Sequence, residues 1–371
     1  MAYNSDIFKE RDKQYRKLKT YKGEFYTINS LFGNDWARWF ILLGGREAGK
    51  SYAVMKWAVL NKLRKKDKFK LYWFRLTEAS QRKLLASNGR DMIDADIAKK
   101  YDIKTKTKNN RIYTYKEKER VTKTGKVVKD EYDVEEFATV MACSTFYNDK
   151  GVGYFDCTYE GEYLIVLDEM NREACEANRF DIVYAFCNQL ENVIRSVHNR
   201  VRIVCIGNTL DEASDILSAF NFIPDKFGRY KIKNKKYKAV IDYIAGNEAY
   251  KARREKALSS ALISDSSTFT NEVTIDRSLL VNKRRCTTPE FIIKFDRTKS
   301  KWFTIWNGNI IKPYNGENCS TIAMKKYIDD VYDADKAKSV KLRFDARAFK
   351  FTNVSVFKTF QKYLRLLKPN N

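Results

Sequence analysis

Eight consecutive residues, Gly44-Gly45-Arg46-Glu47-Ala48-Gly49-Lys50-Ser51, constrain the fold of this chain more than any other stretch. They satisfy the spacing GxxxxGK[ST]. In that pattern glycines let the backbone wrap around phosphate oxygens, and successive N–H groups with a helix N-terminus supply positive potential. The lysine reaches the β- and γ-phosphates, and the hydroxyl ligates Mg²⁺. Such a loop has to lie between a buried strand and a helix. Trp36 to Leu43 ends in an unbroken apolar run, as a strand covered on both faces does, and Ser51 to Leu60 carries apolar residues at helical spacing. A glycine-rich turn with an incidental lysine would need neither flank. The residues expected around ATP are Gly44, Gly45, Arg46, Glu47, Ala48, Gly49, Lys50, Ser51 and Tyr52, with Ser51 on Mg²⁺.

From this point strands and helices alternate, the mark of an α/β layer with a parallel sheet. Lys70–Arg75 reads as a strand and Thr77–Leu85 as a helix. Residues 111–135 read as an inserted hairpin turning at Gly125, with a separate buried strand at Phe137–Cys143 and a break at Gly151 and Gly153. Tyr163–Leu167 is the most strand-like run. A helix is expected over 180–198, with Ile182, Phe186, Leu190, Val193 and Val197 on one face, followed by a strand at Val201–Ile206 and another at Tyr237–Ile241. Residues 246–278 turn polar and serine-rich and read as a linker. The remainder is strand-rich (290–295, 301–307) and closes with a helix at Val354–Leu367. The division expected is an ATPase domain over 1–247, a linker over 248–284 and a small C-terminal domain over 285–371.

The second half of a hydrolytic site follows the strand at 163–167. An apolar strand ending in Asp168-Glu169 places acids at the carboxyl edge of the sheet, where open parallel sheets bind nucleotides. Asp168 is expected to hold Mg²⁺, typically through water, and Glu169 to act as the base that orients or deprotonates the attacking water. Asn208, at the next strand end, is a candidate sensor of the γ-phosphate, although Gly-Asn-Thr is also good turn chemistry. Arg195, Arg200 and Arg202 are candidates for a cation supplied in trans to a neighbouring subunit; Arg195 falls off the apolar stripe of its helix, and Arg202 falls inside a strand pattern.

Charge bounds the partners. There are 71 Lys and Arg against 47 Asp and Glu, a net charge of +24, which points to a polyanion such as double-stranded DNA. Basic clusters at 104–111, 116–126 and 231–238 fall where loops and hairpins could track phosphates without reading bases. No apolar run approaches the roughly 20 residues needed to cross a bilayer, no secretion signal is visible, and no membrane role is expected. The 7 cysteines form no CxxC pair and His198 is the single histidine, so a reducing compartment is expected and a conventional zinc site is not.

The chain resembles the genome-packaging ATPases of small short-tailed phages of the phi-29-like type. The resemblance rests on the loop Gly44–Ser51 with its internal Arg46, on Tyr72-Trp73-Phe74-Arg75, on Ile165–Glu169, on Arg200–Asn208 and on Phe220–Asp225; weaker similarity runs through Phe291–Lys294 to the closing helix. It implies a RecA-like ATPase domain of the ASCE P-loop class, a linker, and a C-terminal α+β domain of ribonuclease-H-like fold without nuclease activity. It also implies a ring, of five subunits, seated at the portal of an empty capsid in the host cytoplasm, with a structural packaging RNA as a further partner. The sequence departs from the pattern at Glu47 and Ala48, where more glycine is expected, and at Ser196, where the trans-acting arginine is expected one position after Arg195. Two other readings compete. One is a large-terminase-like protein with a working C-terminal nuclease built on Asp296, Asp329, Asp330 and Asp345; the other is a P-loop helicase or translocase outside packaging. A basic scaffold with a dead nucleotide site would not need the complete set Lys50, Ser51, Asp168 and Glu169.

Overall fold

The computed structural model describes residues 21–22, 25–32, 36–122, 124, 127–150, 156–171, 180–195, 200–208, 214–220, 222–224, 227–233, 237–246, 249, 252, 255–256, 279–281, 286–326 and 332–367. They group into two compact units. The first comprises the described residues up to 209 and those of 226–272; the second comprises those of 210–225 and 273–371.

The first unit is built on a nine-stranded sheet. Its elements are β1 (Trp39–Gly44), α1 (Lys50–Lys65), β2 (Phe69–Arg75), α2 (Glu78–Leu85), α3 (Ala95–Lys100), β3 (Lys104–Lys108), β4 (Arg111–Val121), β5 (Val127–Ala142), β6 (Glu162–Asp168), α4 (Ile182–Ile194) and β7 (Val201–Gly207). After an excursion of the chain through α5 (Asp215–Ala219), which belongs to the second unit, β8 (Gly228–Lys233) and β9 (Lys238–Ile244) complete the sheet. The order is β8-β9-β1-β7-β6-β2-β5-β4-β3. From β9 to β5 every pairing is parallel, so β1, β2, β6, β7 and β9 all end at one edge. β8 and the β3–β4 pair are antiparallel margins.

The parallel strands are apolar on both faces because both faces are covered. On one, Ala53, Val54, Met55, Ala58 and Val59 of α1 pack against Phe40, Leu42, Trp73, Val166, Val204 and Ile206. On the other, Ile182, Phe186, Leu190 and Val193 of α4 are buried as the helical spacing predicts, with Phe186 edge-on to Phe74 at 5.5 Å; Val197 lies outside the described residues. Side chains cap or complete the elements. Thr77 and Ser80 form a capping box on α2, and Asp181 accepts from the Tyr184 N–H at 2.9 Å to start α4.

Two sequence expectations change. The hairpin arm and the buried strand are one strand: β5 runs without a break from Val127 to Ala142. The basic stretch at 104–108 is an edge strand, and Lys104 and Lys106 belong to a charge ladder. Lys104 pairs with Glu117 and Lys106 with Glu131, while Arg111 meets Glu136 at 3.0 Å and Arg120 meets Asp130 at 2.8 Å. Alternation along a strand brings one residue in two to the same face, so acids interleaved in the sequence become cross-strand partners.

The second unit carries a five-stranded sheet of β10 (Pro289–Lys294), β11 (Trp302–Trp306), β12 (Ile310–Pro313), β13 (Ser320–Ala323) and β14 (Lys350–Phe351), in the order β13-β10-β11-β12-β14. α6 (Ala334–Asp345) and α7 (Val354–Leu366) complete it. Ala337 and Val340 of α6 and Val356, Phe360 and Leu364 of α7 share a core with Ile293, Phe303, Ile305 and Ile311. α5 belongs here, where Asp215 pairs with Lys362 of α7. The fold class is therefore α/β: a large, mostly parallel sheet with a smaller mixed α+β unit.

Candidate nucleotide site

Strand C-termini bring the motif residues together. A cavity of about 340 Å³ opens at the carboxyl edge of the first sheet. Its lining includes Glu47 to Tyr52 from the loop and the start of α1, Asp168 and Glu169 after β6, Asn208 after β7 and Arg75 at the end of β2.

Within it Lys50 is buried. Its Nζ donates to the Gly44 carbonyl at 3.0 Å, to the Gly45 carbonyl at 2.6 Å and to Asn208 Oδ1 at 3.4 Å. Burial pulls its pKa down to about 8, opposed by the nearby Asp168 carboxylate. The ammonium is thus fixed in the cradle rather than left to sample solvent. Gly49 begins α1 in the left-handed region, with φ +86°, which glycine adopts without steric cost.

Asp168 is buried and accepts from Ser51 Oγ at 3.1 Å. That places the carboxylate beside the hydroxyl that would ligate Mg²⁺, within reach of the water shell that this ion keeps. The donor set therefore fits the metal expected with ATP. Burial raises the pKa of Asp168, with Arg75 opposing the shift.

The residue that the sequence reading of the site misses is Arg75. Its guanidinium lies 3.2 Å from Asp168 Oδ2 and 2.5 Å from Glu169 Oε2, bridging the two carboxylates. The signal was a basic residue closing an apolar strand, but that β2 lies beside β6 follows only from the sheet order. Glu169 itself has a left-handed backbone, φ +58°. Such strain is retained where neighbouring structure dictates the direction of a side chain.

Asn208 is in the cavity as expected, in contact with Lys50. Arg46 is exposed and is not part of the lining. Arg202 donates to Glu162 at 3.1 Å and lies over the Trp57 ring, at the opposite end of the strands. Arg200 is beside it, where its carbonyl accepts from the Tyr163 N–H at 2.8 Å. Arg195, exposed at the end of α4, does not line the cavity either.

Solved structures similar to nearly the whole chain include two packaging motors. The first is the Phi-28 gp11 DNA packaging motor, with TM-score 0.53 and 15% identity over 94% of this chain and 100% of that one. The second is the bacteriophage Phi-29 viral genome packaging motor assembly, with TM-score 0.56 and 18% identity over 92% and 99%. The fold is that of phage DNA-packaging motor proteins. No protein-family model and no curated protein sequence matches the chain. Shared architecture at so low an identity reflects the sheet order and the apolar layers on its faces.

Proposed function

We propose that the chain is an ATP-driven translocase that moves double-stranded DNA into an empty phage capsid. The observation that carries this reading is the convergence of Lys50, Ser51, Asp168, Glu169 and Asn208 in one cavity, on a fold shared with solved packaging motors. Lys50 holds the β- and γ-phosphates, Ser51 and Asp168 hold Mg²⁺, and Asn208 contacts the γ-phosphate. Bound Mg²⁺ supplies charge neutralisation at the phosphate oxygens. Glu169 accepts a proton from the attacking water at its carboxylate, and Arg75 sets the direction of that carboxylate. Arg195 or Arg200, remote from the subunit's own cavity, acts on the nucleotide of a neighbour. The assembly is a homo-oligomeric ring of five, docked at the capsid portal in the host cytoplasm, with a structural RNA as a further partner. The first unit is the ATPase domain, and the second, which includes 285–371, faces nucleic acid or portal.

The test is the ATPase rate of the full chain alone, with double-stranded DNA, and with DNA plus empty capsids, using Lys50→Ala as the blank. Stimulation that requires both additions is expected. Turnover indifferent to capsids would favour a helicase or translocase outside packaging. No observation favours the nuclease reading. Asp296 is committed to a turn, accepting from the Thr298 N–H at 2.7 Å and pairing with Lys301 at 2.7 Å. Asp329 and Asp330 lie outside the described residues. Among the described residues no three His, Cys, Asp or Glu side chains converge to hold a metal.

A further inference from the structure

An aromatic pair, Phe25 and Tyr52, stands at the outer lip of the phosphate cradle, and none of the motifs accounts for Phe25. The segment Phe25–Tyr26 is strapped to the loop. The Tyr26 N–H donates to the Ala48 carbonyl at 3.1 Å, and the Tyr26 hydroxyl donates to the buried Asp242 at 2.7 Å. This seats Phe25 against Gly49, with its Cβ and Cδ1 3.3 Å from where a Gly49 Cβ would stand. Its ring centroid lies 6.4 Å from that of Tyr52, and the two planes meet at 34°. The Tyr52 ring is held in turn, its hydroxyl donating to Asp96 at 2.7 Å and the Lys56 ammonium lying 5.4 Å from its centroid. Phe25 nevertheless stays 39% exposed.

A triphosphate has a direction in this cradle. Lys50, Asp168 and Glu169 take its γ end, so the α-phosphate, ribose and base leave at the other, past Gly49 and Tyr52. We infer that Phe25, backed by Tyr52, is the stacking platform for the nucleobase of the bound nucleoside triphosphate. The inference rests on the nucleotide reading above and adds the part of the ligand that this reading leaves unassigned. Stacking grows with ring area and is indifferent to base edges. The site therefore prefers purine to pyrimidine nucleotides and discriminates weakly between adenine and guanine.

The test compares equilibrium binding of ATP, GTP, CTP and inorganic tripolyphosphate to the full chain, to Phe25→Ala and to Phe25→Leu, which keeps apolar bulk on Gly49. Both variants should bind ATP about 5- to 150-fold more weakly and tripolyphosphate as wild type does, and wild type should bind ATP and GTP more tightly than CTP. Undiminished ATP binding by both variants overturns the platform, as does an equal loss of tripolyphosphate, which would make Phe25 a support of the loop. A wild-type chain that binds neither ATP nor tripolyphosphate overturns the nucleotide reading itself, and the platform with it.

Discussion

Glu47 and Glu169 are two acids at one site with left-handed backbones, φ +63° and +58°, and they have opposite expectations. Glu47 lies in the loop and lines the cavity, so its carboxylate opposes a triphosphate while its backbone sits where glycine is at ease. Glu47→Gly should tighten ATP binding and raise stability by about 1 kcal/mol, checked by calorimetry and urea unfolding. Weaker binding would show that this side chain assists the loop. Glu169 is strained in the service of direction. Glu169→Gln should lower ATP turnover by roughly 10² to 10⁴ with nucleotide affinity kept, and unchanged turnover would remove it as the base. Arg75→Ala should lower turnover by about tenfold or more through misdirection of Glu169, while reducing the Mg²⁺ concentration needed for half-maximal rate, because a cation beside Asp168 is gone. A rise in that concentration would mean that Arg75 organises the metal site instead.

At the scale of elements, the margins of the large sheet differ in how their charges are placed. On one side Asp242 of β9, fully buried, is met by Arg229 of β8 at 2.8 Å and by the Tyr26 hydroxyl. Removing one partner of a buried pair leaves an uncompensated charge, so Arg229→Ala should cost about 3–5 kcal/mol in urea unfolding. On the other side the β3–β4–β5 ladder is exposed, and its ion pairs contribute little each. Its acids also cancel much of the local attraction for phosphate. Lys104→Gln with Lys106→Gln should therefore change double-stranded DNA affinity by less than about twofold, since counterion release needs phosphates neutralised by unpaired cations; a large loss would restore this strand as a grip. The alternation of lysine and acid was legible in the sequence, but the cross-strand pairing was not, because register depends on which strands meet.

For the whole molecule, a net charge of +24 survives these local cancellations. Affinity for double-stranded DNA should fall on the order of a thousandfold between 50 and 200 mM salt, read by fluorescence anisotropy; a flat dependence would remove DNA as the polyanion. The sequence by itself determined the parts that are local in the chain. Gly44 to Ser51, the apolar run ending at Asp168 and Glu169, and the stripe on α4 each state their structure within a few residues, because loop chemistry, strand ends and helical period are short-range properties. The tertiary structure decided what is brought beside what. It put Arg75 across Asp168 and Glu169, set Phe25 on Gly49, joined the hairpin arm to a core strand in β5, and sent the chain through the second unit between β7 and β8. Each joins residues far apart in sequence through sheet order and packing, and burial patterns along a chain do not encode which partner does the burying.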